Sequence, residues 1–408
     1  MDNHSTVSTF LLWGFSSFPD LQDLLFVMVF FSHVTILAAN VSIMVAVKLN
    51  HSLHIPMYFF LCGLSFSETC TTVVVIPRML VDFLSDSKSI SIFECATQMF
   101  FFFGLSGNNC FIMAAMSYDR YTAIHNPLHY SILMTRKICF QLMMAAWLVG
   151  FLVSMCIVTI VFNLSFCDSN TIQHFFCDIS PVVCLACDYT LSYEMAIFVL
   201  SAFVLVGSFI LIIISYVFIG SIVMKMPSAK GRYKAFSTCS SHLTVVCIHY
   251  GFAGFVYLRP KSSDSFREDM LMALTYTVLT PLLNPIVYSL RNKEMQIALR
   301  KIVDSANRFI LQMLSIQQGF FGPTLCTRLP SGSSDPFTTP GPSIYVTLMT
   351  HVAPQINLHQ SYILTLAETM TLERFKLQND QSVHPNQAAQ ESPEYSVDCT
   401  AKATAELL

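Results

Sequence analysis

Charge is what this chain is short of: only 12% of its 408 residues are Asp, Glu, Lys or Arg, where a soluble protein carries roughly 25%. The net charge of -3 is close to neutral for this length, and no run of Lys and Arg is dense enough to grip a phosphate backbone. Nucleic acid is therefore excluded as a partner. No stretch ahead of the first apolar run combines a basic head, a short apolar core and a small-residue cleavage site, so no cleaved signal peptide is expected. The first apolar run must direct insertion itself. The chain also lacks a catalytic constellation, which argues against an enzyme, and no cofactor is expected. Paired charges within apolar runs, internal repeats and matched Gly- or Pro-broken helices are missing too, and with them the usual marks of a transporter or channel.

Apolar residues fill the gap. They make up 54% of the chain, with 35 Phe and 21 Met but only 2 Trp, and they fall in seven runs long enough to span a bilayer. The runs lie near Leu24 to Val47, Pro56 to Leu80, Cys95 to Ser117, Ile138 to Phe162, Met195 to Met224, His242 to Leu258 and Met270 to Leu290. The sixth is diluted at its start by Ser237, Ser240, Ser241 and His242, so its helix is expected to begin nearer Lys234. The fold class predicted is an all-α integral membrane bundle of seven transmembrane helices. Lys48, Arg120, Arg136, Lys137, Lys225, Lys230, Arg232 and Lys234 gather on one side, with Arg291, Lys293, Arg300, Lys301 and Arg308 after the last run. The other side carries only Arg78, Lys88, Arg259, Lys261 and Arg267 near the membrane. Positive charge marks the cytoplasmic face. This predicts a multi-pass plasma-membrane protein with the N-terminus extracellular and the C-terminus cytoplasmic.

Four regions follow. Residues 1–23 form an extracellular N-terminus with the sequon Asn3-His4-Ser5, so Asn3 is a glycosylation acceptor. Residues 24–290 are the seven-transmembrane domain. Residues 291–314 carry Met295, Leu299, Ile302, Ala306 and Phe309 at three- and four-residue steps, the pattern of an amphipathic helix on the membrane surface. Residues 315–408 turn to Pro, Ser, Thr and Gln and are expected to be a disordered cytoplasmic tail, either dispensable or a partner-binding segment.

Five strings stand at characteristic places. The third run ends in Met116-Ser117-Tyr118-Asp119-Arg120-Tyr121, continuing to His129-Tyr130. The others are Leu53-His54-Ile55-Pro56-Met57-Tyr58-Phe59-Phe60-Leu61, Leu64-Ser65-Phe66-Ser67-Glu68, Lys234-Ala235-Phe236-Ser237-Thr238-Cys239-Ser240-Ser241-His242-Leu243 and Pro281-Leu282-Leu283-Asn284-Pro285-Ile286-Val287-Tyr288-Ser289-Leu290-Arg291-Asn292. Together, over Asn3 to Leu314, the chain resembles the tetrapod-type olfactory (odorant) receptors, a branch of the rhodopsin-like G-protein-coupled receptors. A guanidinium at the inner end of a span needs a partner, and Asp119 is the adjacent one for Arg120. Pro285 is expected to kink the seventh helix, and Asn284 and Tyr288 to face protein or water.

The resemblance implies the rest. Asp119, Arg120, Tyr121, Tyr216, Asn284, Pro285 and Tyr288 would serve activation and G-protein coupling, the partner being a stimulatory heterotrimeric G protein that raises cyclic AMP. Glu68 corresponds to an acid of a sodium site in related receptors, but Asn109 stands where many olfactory receptors supply a second acid. The resemblance pairs Cys95 with Cys177 and Cys167 with Cys187, leaving Cys184 unpaired. A metal site built from the four loop cysteines near His174, with Cys184-Leu185-Ala186-Cys187 at ligand-like spacing, is the competing reading of these cysteines. Helical spacing places Phe102, Phe103, Ser106, Gly107, Tyr250, Ala253 and Tyr257 on inward faces, with Val204 and Thr277 closing a ring that would bind a small, mostly apolar, volatile ligand. A receptor for a small metabolite outside olfaction shares every motif and is the alternative.

Overall fold

The computed structural model describes residues 8–85, 87–167, 170–258 and 266–320. The packing below belongs to the compact unit that contains residues 1–313. Among the described residues, seven helices are long and apolar enough to cross a membrane. They are α1 (Pro19–Leu49), α2 (Pro56–Leu84), α3 (Ile92–His125), α4 (Arg136–Phe162), α5 (Leu191–Lys225), α6 (Ala229–Tyr257) and α7 (Phe266–Arg291); α8 (Lys293–Phe320) follows them. The predicted seven-helix class is the one observed. Asn3, Arg259, Lys261 and the chain beyond Phe320 lie outside the described residues.

Helix starts differ from the hydropathy runs because polar capping residues begin them. Pro19 occupies the first turn of α1 with Asp20 beside it, a start that needs no apolar residue, so α1 begins before Leu24. Ser91 and Glu94 form a reciprocal capping box at α3. Ser228 accepts from the Gly231 N–H at 3.3 Å and starts α6 ahead of Lys234. The C-terminal helix α8 runs on to Phe320, beyond Leu314. Met295 and Ala298 on α8 are buried, with Leu299 and Ile302 packed beside them.

The third helix is the axis of the bundle. Of its most apolar stretch 72% is buried, against 22% for α1 and 28% for α4 and α5, whose outer faces expose Phe31, Phe140, Leu148, Phe198 and Val217. In a bilayer such exposure carries no penalty, and association rests on close packing and on interhelical polar contacts. Gly150 shows both. A Cβ there would lie 2.7 Å from the Asn108 nitrogen and the Gly104 carbonyl oxygen, so only glycine lets α4 meet the α3 backbone. Ser154 then donates to the Phe100 carbonyl at 2.7 Å, and Asn108 donates to Ser67 Oγ at 2.9 Å, tying α3 to α4 and α2.

Proline breaks are repaired by side chains. Pro285 has no N–H to give the Pro281 carbonyl one turn earlier. Asn40 on α1 donates to that oxygen at 3.2 Å, so the departure Ala39-Asn40 keeps the amide where α7 needs it. In α5, Phe203–Gly207 is a turn of π-helix, with Ser208 Oγ donating to the Val204 carbonyl.

The end of the bundle away from Arg120 is roofed by three short strands, β1 (Thr9–Leu12), β2 (Ser89–Ser91) and β3 (Thr171–Ile172), in the order β2-β1-β3. The first is antiparallel to β2, with Phe10 opposite Ile90, and parallel to β3, with Leu11 opposite Thr171. Phe10 and Leu12 point inward and are buried while Thr9 and Leu11 face out, the two-residue period of a half-covered strand.

Candidate ligand cavity and signalling face

A cavity lies under this roof, in the half of the bundle away from Arg120. Six of the nine expected ligand residues line it: Phe103, Ser106, Gly107, Val204, Ala253 and Tyr257. Three stand off the wall. Phe102, one residue from Phe103 and so turned about 100° away, is buried against Phe176 with ring centroids 4.7 Å apart. Tyr250 turns its hydroxyl away to Ser208 Oγ at 2.7 Å and to the Cys110 carbonyl at 3.3 Å. Thr277 is buried, and its neighbour Tyr276 takes the wall position on α7.

What spacing on α3 and α6 missed is the α4 wall, where Gly150, Val153, Ser154 and Ile157 contribute. The signal was available, since Ala146, Gly150, Ser154, Ile157 and Val161 recur at three- and four-residue steps and are the buried stripe of α4. Cys110 also reaches the wall, with Sγ 3.4 Å from His249 Nε2. Among the described lining residues there is no carboxylate, Lys or Arg. The Tyr257 hydroxyl has no hydrogen-bond partner among the described residues, and the Ser106 hydroxyl lies beside that of Tyr276, so the cavity offers polar contacts without charge.

Arg120 does not pair with Asp119. Consecutive helical residues diverge, and i,i+1 side chains do not face each other. Asp119, only 2% exposed, accepts from the Tyr130 hydroxyl at 2.7 Å. Burial, and next the Asp119 carboxylate, push the Tyr130 phenol up, so it stays a proton donor. Arg120 instead reaches the Met57 sulfur on α2 through Nη2. Tyr216 on α5 is 2.8 Å from His242 Nδ1 on α6, and the buried Tyr288 hydroxyl has no partner among the described residues. Tyr121 stacks on His125 and touches Phe218 on α5.

Between the cavity and the Arg120 end of the bundle, Asn284 donates to Glu68 Oε1. Glu68 Oε2 and the amide oxygens of Asn108, Asn109 and Asn284 have no partner among the described residues. Oxygen donors of this kind suit a hard cation, but with Asn109 in place of an acid the set holds a single carboxylate. Pro285 itself contributes the break in α7 that Asn40 covers.

The long loop between α4 and α5 is stapled twice. Cys95 is bonded to Cys177 across a Cα separation of 5.5 Å, and Cys167 to Cys187 across 6.0 Å. Cys184 stands beside the second staple, three residues before Cys187. Phe166 and Ala186 form a β-bridge that brings Cys167 and Cys187 together, and Cys184 ends the short helix Ile179–Val183 just before it. Oxidised sulfurs are poor metal ligands, and among the described residues no three His, Cys, Asp or Glu converge. His174 is packed against Phe175 and Phe176, at 4.6 and 4.7 Å between ring centroids.

Comparison with known proteins adds the lineage of this architecture. A family profile described as "Olfactory receptor" matches residues 27–305. Human olfactory receptor 10Z1 is 53% identical over 291 residues, covering 71% of this chain and 93% of that protein. Human olfactory receptor 10R2 is 50% identical over 302 residues (74% and 90%), and human olfactory receptor 10T2 is 49% identical over 302 (74% and 96%).

Proposed function

Because this chain belongs to the olfactory receptor family, we propose that its outer cavity binds small, mostly apolar, volatile molecules and that its inner face activates a stimulatory heterotrimeric G protein to raise cyclic AMP. The observation that carries the ligand class is the chargeless wall with hydroxyls on Ser106 and Tyr257, the latter without a partner among the described residues. A protonated amine would find no carboxylate there, whereas an alcohol, aldehyde or ketone finds donors at the cost of little desolvation.

Ligand in this cavity touches α3, α4, α5, α6 and α7 at once, and so favours one packing of them over another. Its effect at the inner end is an outward movement of α6, which separates Tyr216 from His242 and opens a cleft for a helix of the G protein. Arg120, with Asp119 held aside by Tyr130, is the cationic contact in that cleft, flanked by Tyr121 and Tyr288. Asn284 and Pro285 supply the α7 break that adjusts during the change. The N-terminus faces outward and the C-terminus inward, with the positive residues on the cytoplasmic side. The test is a cyclic-AMP reporter in cells expressing the full chain, screened against a panel of volatile alcohols, aldehydes, ketones and amines. Saturable responses to neutral oxygenated volatiles are expected. Responses confined to amines or to involatile ions, or coupling only to an inhibitory G protein, would overturn the reading.

A further inference from the structure

The ligand cavity has a nucleophile in its wall. Cys110 on α3 lines it, and Cys110 Sγ stands 3.4 Å from Nε2 of His249 on α6. The other ring nitrogen, Nδ1, has no hydrogen-bond partner among the described residues, and His249 is only 1% exposed. One helical turn before Cys110, Ser106 lies on the same face of α3 and in the same wall, its hydroxyl beside that of Tyr276 on α7. The wall thus presents a thiol, a base bonded to it and, one turn away, a pair of hydroxyls.

A thiol with an adjacent base is activated for attack on an electrophile, and the hydroxyls decide which one. Side chains four residues apart on a helix are neighbours, with Cβ atoms about 5–6 Å apart. A conjugated enal matches that spacing, because its electrophilic β-carbon and its carbonyl oxygen stand at opposite ends of one short planar chain. With the β-carbon at Cys110 Sγ, the oxygen falls one turn away, where the Ser106 and Tyr276 hydroxyls donate to it. The space suits the smallest members of the class. It has room for roughly three or four water-sized groups, and acrolein has four heavy atoms.

We propose that the cavity captures small α,β-unsaturated aldehydes covalently at Cys110. The thiol proton passes to His249 Nε2 as Sγ bonds to the β-carbon, and the double-bond electrons move toward the carbonyl oxygen held by the two hydroxyls. His249 then returns the proton to the α-carbon, leaving a thioether that keeps its aldehyde. Every atom of thiol and enal is retained, and no oxidant or reductant takes part. The proposal rests on the reading of this cavity as the ligand site and names, within the aldehydes, the class that stays bound.

The test is peptide mapping by mass spectrometry of the full-length receptor in lipid nanodiscs, exposed to acrolein for timed intervals, quenched with excess thiol and reduced with borohydride to fix the adduct. No G protein is needed, so the outcome is independent of signalling. A positioned base is worth about 10²–10⁴-fold. Cys110, although buried, is therefore expected to gain one acrolein at least about tenfold faster than the outward-facing Cys156 and Cys247. Propanal, which lacks the double bond, should leave Cys110 unmodified. His249→Asn should slow modification of Cys110 about tenfold or more and leave that of Cys156 unchanged. If His249→Asn does not fold, Ser106→Ala decides, since loss of a donor to the carbonyl oxygen should slow the reaction about threefold or more. Modification of Cys110 no faster than that of Cys156 and Cys247, an equal adduct from propanal, or an unchanged rate in the deciding variant would overturn the proposal. A cyclic-AMP response to propanal beside an acrolein-resistant Cys110 would overturn it too, while leaving the cavity standing as the ligand site.

Discussion

The contact between Asn40 and the Pro281 carbonyl offers a test of why α1 is anchored to α7. Pro285 leaves that carbonyl without its helical donor, and Asn40 Nδ2 supplies one at 3.2 Å while also donating to the Ile36 carbonyl at 3.1 Å. Asn40 is fully buried, so in Asn40→Ala no water takes its place. Orphaning a buried acceptor costs about 1–3 kcal/mol in soluble proteins, and polar contacts between membrane helices average nearer 0.6 kcal/mol. A loss of about 1 kcal/mol for this contact is the working value. The same replacement made together with Pro285→Ala should cost less, because position 285 then has an N–H of its own to give the Pro281 oxygen. The double-mutant cycle should return a coupling of about 1 kcal/mol, and the volume lost on truncating Asn40 cancels in it. The assay is unfolding of the purified receptor in detergent micelles for the four variants, read by intrinsic fluorescence against denaturant. If Asn40→Ala costs the same whether or not Pro285 is present, the carbonyl is not what Asn40 satisfies, and the repair of the proline break is refuted.

Gly150→Ala should lower the yield of folded receptor by about 1–3 kcal/mol of stability, since its Cβ would meet α3 backbone rather than a flexible side chain; thermal unfolding of the purified protein checks this. Gly107→Leu should block most agonists: a Cβ there already lies 3.3 Å from Gly150 Cα, so the remaining carbons must enter the cavity. Displacing two methylenes of ligand contact at about 0.8 kcal/mol each raises the half-maximal concentration roughly 15-fold. Tyr257→Phe should weaken responses to oxygenated ligands by about 1–3 kcal/mol and leave hydrocarbons of the same shape unchanged, measured as dose-response curves at matched surface expression. Arg120→Ala should abolish ligand-driven cyclic AMP while receptor remains detectable at the surface by antibody staining.

Much was legible in the sequence because the bilayer is a demanding solvent. Each backbone polar group must be bonded within a helix, so each span must be a long apolar run, and seven runs specified seven helices. The strings around Arg120, His242 and Pro285 stood out for the same reason: polar and charged residues at membrane depth are rare enough to be recognised. Helix ends were less legible. Pro19 and Ser228 begin their helices with capping chemistry that a hydropathy window averages away.

The ligand wall was half legible. Phe103, Ser106 and Gly107 on α3 share an inward face that helical spacing can find, but spacing alone does not fix a helix's rotation to within one residue. Tyr276 rather than Thr277, and Phe103 rather than Phe102, therefore face the cavity. The α4 wall was missed because small residues such as Gly150 and Ser154 announce close packing without saying against what.

By itself the sequence determined the solvent, the number of spans, the side that carries positive charge and the family, since each depends on composition or on contiguous strings. Tertiary structure alone decided the contacts between residues far apart in the chain. Asp119 turned to Tyr130 instead of Arg120, Asn40 covered the carbonyl that Pro285 abandoned, and Thr9–Leu12 joined two distant strands over the bundle. The physical reason is common to all three: each depends on directions that side chains and strand edges take only once the helices have packed, and no local pattern encodes the orientation of a neighbour it has not yet met.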